Sequence, residues 1–164
     1  MKTKETICVV APRRGMGDCI SFFAFFKTIA KITKKKIILI THKNTSAQEV
    51  FKYQNIFKKI IYLDNNKKNF IYNIFSYLKI FKLLSLLKTQ GVNKVIILHH
   101  SIKYVLLARI IGFDLIEAPG QKFQRFFLKK NRVYKNYLSK VMHPRDESEI
   151  LIKKIFNINK IEDN

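Results

Sequence analysis

Five short apolar runs, at residues 7–11, 36–41, 59–63, 94–98 and 115–118, alternate along the chain with longer segments whose apolar positions recur every three or four residues. Short runs rich in β-branched residues read as strands, and the three-to-four spacing reads as helix. The first four runs are continuously apolar, as expected of strands covered on both faces. Strands alternating with helices imply βαβ units, so the pattern predicts an α/β domain of three layers around a mostly parallel sheet.

The first predicted helix covers residues 18–33, with Ile20, Phe23, Phe26, Ile29 and Ala30 on one stripe. Ser46 with Glu49 three residues on forms a capping-box signature, which predicts a second helix through residue 53. The longest helix is expected over residues 67–88, on a stripe of Phe70, Ile74, Leu78, Phe81, Leu84 and Leu87, with Gly91 as its stop. Core burial is the expected use of that stripe. Lys79, Lys82 and Lys88 interrupt it, so it reads as a packed or interfacial helix and not as a membrane span. Two more helices are expected, from residue 101 to before Gly112 and over residues 146–156.

Where the first strand ends, the chain reads Arg13-Arg14-Gly15-Met16-Gly17-Asp18 and then enters a helix. In open α/β sheets ligands sit beyond the carboxyl ends of the strands, where loops and helix amino ends present unpaired N–H groups. These six residues are therefore the first candidate site. Gly15 and Gly17 are expected to give a sharp turn and a close backbone approach to a ligand. Asp18 is either a functional carboxylate or the N-cap of the helix. His99 and His100 end the fourth strand on the same edge, as ligand contacts or as ordinary packing groups.

The net charge of +21 raises the question of nucleic acid, but 26 lysines against 6 arginines, scattered among Ile, Asn and Phe, read as a compositional bias. No basic helix, zinc spacing or ribonucleoprotein motif accompanies them, so nucleic acid is disfavoured and an anionic membrane surface is the better partner for the charge. Cys8 and Cys19 lie in apolar surroundings without pairing or metal-ligand spacing. No secretory signal and no apolar run of about 18 residues is present, which points to the cytoplasm. A dinucleotide fingerprint would need glycine at Ile20 and an acidic residue near Thr41 or His42; a phosphate-binding P-loop would need lysine at Asp18. Neither a nicotinamide or flavin cofactor nor P-loop nucleotide hydrolysis is expected.

Residues 118–137 break the periodicity with Pro119-Gly120-Gln121, three phenylalanines and Lys122, Arg125, Lys129, Lys130 and Arg132. A mobile loop of this composition suits an anionic, partly apolar ligand through Lys122 and Arg125. The alternative is that Phe123, Phe126 and Phe127 tuck under the sheet and the charges are solvated.

The Arg-Arg-Gly-Met-Gly-Asp turn, the run from Val95 to His99, the helix carrying Ala108-Arg109-Ile110-Ile111-Gly112-Phe113, and His143 before the last helix resemble the N-terminal half of glycosyltransferase family 9, which contains the ADP-heptose:lipopolysaccharide heptosyltransferases. The resemblance spans about residues 7–156. It implies a Rossmann-like domain, equivalent to the N-terminal half of a GT-B fold, over residues 1–158, with a polar tail at 159–164. It implies Asp18 as general base in an inverting sugar transfer that uses no metal and no cofactor. Arg13 and Arg14 would contact the phosphates of an anionic glycolipid acceptor of the lipid A–Kdo type, at the inner face of the inner membrane. Ala24 stands where family members usually carry proline, and Asn93 and Lys94 where they carry an acidic residue. The nucleotide-sugar domain that would follow is expected to be missing, so the donor would bind only with a complementing C-terminal domain, and the chain alone is expected to be inactive. Two other readings remain: a non-catalytic binding module or degenerate remnant, and a basic nucleic-acid binder.

Overall fold

A computed structural model describes residues 6–63, 70–129 and 143–161. Five strands, β1 (Thr6–Val10), β2 (Ile37–His42), β3 (Phe57–Leu63), β4 (Val92–Ile97) and β5 (Leu115–Glu117), form one sheet in the order β3-β2-β1-β4-β5. Every pairing is parallel. All five strands are those read from the sequence, with ends shifted by one or two residues. The central strands β1, β2 and β4 are buried along nearly their whole length, whereas edge strand β3 leaves Lys58 and Lys59 in solvent. The expectation that β3 is covered on both faces does not hold, because an edge strand has one unpaired side and needs fewer apolar residues.

Side chains alternate between two apolar layers, as the period of a strand requires. Val9, Ala11, Ile37, Leu39, Ile96 and Leu98 face one layer. It is completed by α1 (Met16–Ser21), α2 (Phe23–Thr33), α3 (Ala47–Val50) and α6 (Pro144–Phe156). Cys8, Val10, Ile38, Ile40, Val95 and Ile97 face the other, beneath α4 (Phe70–Thr89) and α5 (Ile102–Ile111). Ile161 is buried in the first layer, within the stretch expected as a polar tail.

The helix expected over residues 18–33 is broken in two at Phe22, and it begins at Met16. The Ser21 hydroxyl donates to the Asp18 carbonyl at 2.8 Å, a back-bond that competes with the helical ladder and bends helices. Phe22 is buried, and its carbonyl accepts from Phe25 and Phe26 to start α2. The capping box at Ser46 does not form. Ser46 sits in the left-handed region at φ 46° with no side-chain cap bond, and α3 ends at Val50. A three-residue 3-10 turn before it, Lys43–Thr45, has already spent the approach to the helix.

Helix α4 corrects the expected stripe. Ile80, Leu84 and Leu87 are buried, but Leu78 and Phe81 are exposed, together with Phe75 and Leu86. The side chains of Phe70 and Ile74, and residues 67–69, lie outside the description. The helix is apolar nearly all round, so spacing alone could not select the buried face. Among the described residues no helix is long and apolar enough to cross a membrane. The helix from Ser101 runs as expected to Gly112, whose φ of 82° closes it as a left-handed cap.

Phenylalanines tie α2, α3 and β3 together. Phe51 stacks on Phe23 and Phe57 with centroids 4.9 and 5.3 Å away, and Phe26 meets Phe51 edge-on at 6.3 Å. Phe51→Ala is expected to cost about 3–5 kcal/mol in denaturant unfolding, since it removes a buried ring and leaves a cavity. Gly112→Ala should cost about 1 kcal/mol or more, because the left-handed cap penalises a Cβ even though space around it is open. Equal stability of either variant with the native chain would show that the site concerned does not hold its own layer.

Candidate functional site

Strand order reverses between β1 and β4. The chain leaves β1 toward α1 in one layer and leaves β4 toward α5 in the other, so the loops after these neighbouring strands part and leave a crevice, the usual ligand site in such sheets. Residues 13–18, which follow β1, and His99 and His100, which follow β4, lie on its two sides.

Arg13 braces the crevice. Its Nη2 donates to the Leu98 carbonyl at 2.7 Å, and its guanidinium lies 3.8 Å from the centroid of the Phe22 ring. Burial lowers its pKa, opposed by the carboxylates of Asp18 and Glu147. Its Nε is buried with no partner among the described residues. Arg13 is thus largely committed to the protein, while Arg14 beside it is exposed to solvent.

Asp18 is not the N-cap. That position is Gly15, with φ −129° and no side-chain cap bond, and Asp18 lies in the first turn of α1 with its side chain exposed. Met16 is about half exposed at the start of the helix. The expectation for Gly15 and Gly17 is corrected: neither has a positive φ, and an added Cβ at either would meet nothing within 4 Å. The turn itself does not need glycine there, and what the two residues leave is open space beside Asp18.

His99 and His100 stack at 4.9 Å. His99 Nδ1 accepts from the Ser101 backbone N–H at 2.9 Å. Burial, reinforced by the positive charges of His100, Arg13, Lys103 and His42, pushes its pKa down to about 3, so its ring is neutral at pH 7. His100 is more exposed, with Nδ1 3.4 Å from Glu147 Oε2.

Glu147 is the principal residue that the sequence did not disclose. It lies in the first turn of α6 and is buried, facing His100 and accepting a hydrogen bond from Gln121. Helix α6 starts two residues before the expected position, with His143 as its cap: His143 Nδ1 accepts from the Arg145 backbone N–H at 3.3 Å. Gln124, also buried, donates to the carbonyls of His99 and Ser101 and accepts from the Gly120 N–H. The segment after β5 is therefore fastened to the crevice by its glutamines. Lys122 and Arg125 lie on the 3-10 turn Lys122–Phe126, and the Lys122 side chain is outside the description. Arg125 is exposed over the Phe126 ring at 5.1 Å, with no described contact to the crevice. Phe123 and Phe126 are about two-thirds exposed and do not tuck under the sheet, whereas Phe127 packs on it. Residues 130–137 of this loop lie outside the description.

Cys19 lines the first layer beside Asp18, and burial raises its thiol to about 11 despite a hydrogen bond with Thr45, so it is a packing group and not a nucleophile. Among the described residues no three His, Cys, Asp or Glu side chains are placed to hold a metal. A cavity of about 320 Å3 lies at the opposite edge of the sheet, among Lys31, Lys34, Lys36 and Asn55, away from this chemistry.

No protein-family model and no curated protein matches the chain by sequence. Among solved structures it is similar to a glycosyl transferase of family 9 from Veillonella parvula, with a TM-score of 0.63 and 18% identity over 92% of this chain and 41% of the other. It is also similar to MurG of Acinetobacter baumannii, with a TM-score of 0.53 and 17% identity over 79% of this chain and 40% of MurG. Both are glycosyltransferases of the GT-B class. The chain thus spans about two-fifths of the length of either, and its fold is the parallel α/β domain that these two enzymes contain.

Proposed function

We propose that this chain is the acceptor-binding half of an inverting glycosyltransferase, with Asp18 as general base. The observation that carries the reading is the placement of Asp18: an exposed carboxylate at the crevice, relieved of any capping duty and preceded by two glycines, Gly15 and Gly17, that leave open space. A carboxylate there is free to take the proton of an acceptor hydroxyl as that oxygen bonds to the anomeric carbon. The electron pair of the breaking bond leaves with the nucleotide diphosphate of the donor, which a complementing domain would hold. Arg13 fixes the base side of the crevice through Leu98 and Phe22, and Arg14 is available to an anion.

The heptosyltransferase role, a lipopolysaccharide-type acceptor and peripheral contact with the inner membrane extend this reading and rest on the sequence resemblance. The glycosyltransferase fold supports them only at the level of class. Positioning of both substrates supplies much of the rate of such a transfer, so the proposed half is active only with its complement.

The test is transfer from ADP-heptose to a deacylated lipopolysaccharide-core acceptor, with this chain mixed with a separately expressed C-terminal family domain. Asp18→Asn is expected to lower turnover by about 10^2 to 10^4-fold with acceptor affinity within about twofold of native. Its effect on stability should be limited to the loss of a first-turn charge, about 0.3–1 kcal/mol. Transfer that persists undiminished in Asp18→Asn removes the base assignment. A well-folded mixture with acceptor binding and no transfer identifies a non-catalytic binding module.

A further inference from the structure

Helix α5 opens on the crevice with the wrong charge for its position. The amino end of a helix carries positive potential and favours anions, yet the first turn of α5 has no acidic residue, its cap Ser101 makes no side-chain cap bond, and its second residue is Lys103. Three further basic groups, an arginine and two histidines, gather around Lys103 from separate elements. Arg14 comes from the loop after β1, His42 from the end of β2 and His99 from the loop after β4.

Their proximity is visible in what they do to one another. Burial first, and then Arg14, lower the Lys103 pKa. Burial, with Lys103 and Arg14, lowers that of His42 against a backbone hydrogen bond with Leu63. No described ion pair involves Arg14, His42 or Lys103. His42 and Lys103 line one cavity of about 30 Å3 together with Lys79, Ser76 and Tyr104. Buried in that region, His42 Nδ1 has no hydrogen-bond partner among the described residues. The like charges of Arg14 and Lys103 beside a desolvated, unpartnered nitrogen destabilise the empty protein, and a site that breaks local rules in this way is where function is expected.

We propose that Lys103, Arg14 and His42, at the amino end of α5, form a subsite for a phosphoryl group. Several donors arriving from different elements suit a compact dianion better than a single carboxylate. The subsite lies on the α4–α5 side of the sheet, whereas Asp18 lies on the α1–α6 side, so its occupation does not depend on Asp18 acting as a base.

The experiment is a titration of the intact chain with inorganic phosphate, glucose 1-phosphate and acetate at constant ionic strength, followed by the ring resonances of His42 and His99 and by the thermal midpoint. Saturable shifts of both rings are expected, with phosphate binding weakened at least tenfold by Lys103→Gln and by Arg14→Gln. The paired change Lys31→Gln and Lys34→Gln, in the basic cavity at the far edge, should leave it within twofold. Lys103→Gln removes repulsion, so its midpoint without phosphate should equal or exceed the native one while the phosphate-induced rise disappears. Tighter binding of glucose 1-phosphate than of phosphate supports a phosphoryl group carried on a sugar; equal binding supports free phosphate. Acetate binding as tightly as phosphate, unsaturable drift, or saturable binding that survives Lys103→Gln overturns the proposal.

Discussion

The structure depends on one topological constraint: β1 and β4 lie side by side and parallel, but their chains must exit to opposite faces of the sheet. Two neighbouring loops that diverge cannot close over the strand ends, and a crevice is the unavoidable result. The Arg13 bond to the Leu98 carbonyl then sets its width, joining the two loops at the point where they part. The aromatic face of Phe22 supports that guanidinium from below, so the kink between α1 and α2 and the shape of the crevice are one feature.

Charge within the crevice is sorted by the same divergence. Asp18 and Glu147 belong to helices of one layer, and Arg13 faces both. Lys103, His42 and His99 belong to the other side, where burial first and neighbouring basic groups second lower the pKa of each. A neutral His99, accepting from Ser101 and stacked on His100, stands between the two regions. The exposed carboxylate of Asp18 and the basic group around Lys103 thus lie at separate places along one edge.

The sheet was legible in the sequence because burial on both faces forces a continuous apolar run, and Ile37 to Ile40 or Val95 to Ile97 can hardly read otherwise. Helix faces were less legible. On α4 almost every position is apolar, and only packing against β4 and α5 decided that Ile80 and Leu84 go in while Leu78 goes out. Local signals failed where a neighbouring turn overrode them, as at Ser46, or where a residue's backbone did not use the freedom it had, as at Gly15 and Gly17. Asp18, Arg13 and the His99–His100 pair were visible because they follow strands directly. Glu147, Gln121, Gln124 and His42 were not, since each acquires its role from residues far away in the chain: nothing near Glu147 in sequence announces His100.

The lysines of β3 have a meaning beyond composition. Among the described residues this strand is a border of the sheet, where only the Gln48 side chain reaches the Ile60 carbonyl, and Lys58 and Lys59 are exposed along it. An unpaired backbone edge is a template on which another chain can add a strand, and closely spaced ammonium groups make that addition costly. A domain this rich in isoleucine and phenylalanine would otherwise risk open-ended stacking of sheet on sheet into fibres. The two lysines make β3 a terminus, so the same charge excess that says little about a partner helps to keep the molecule from becoming its own.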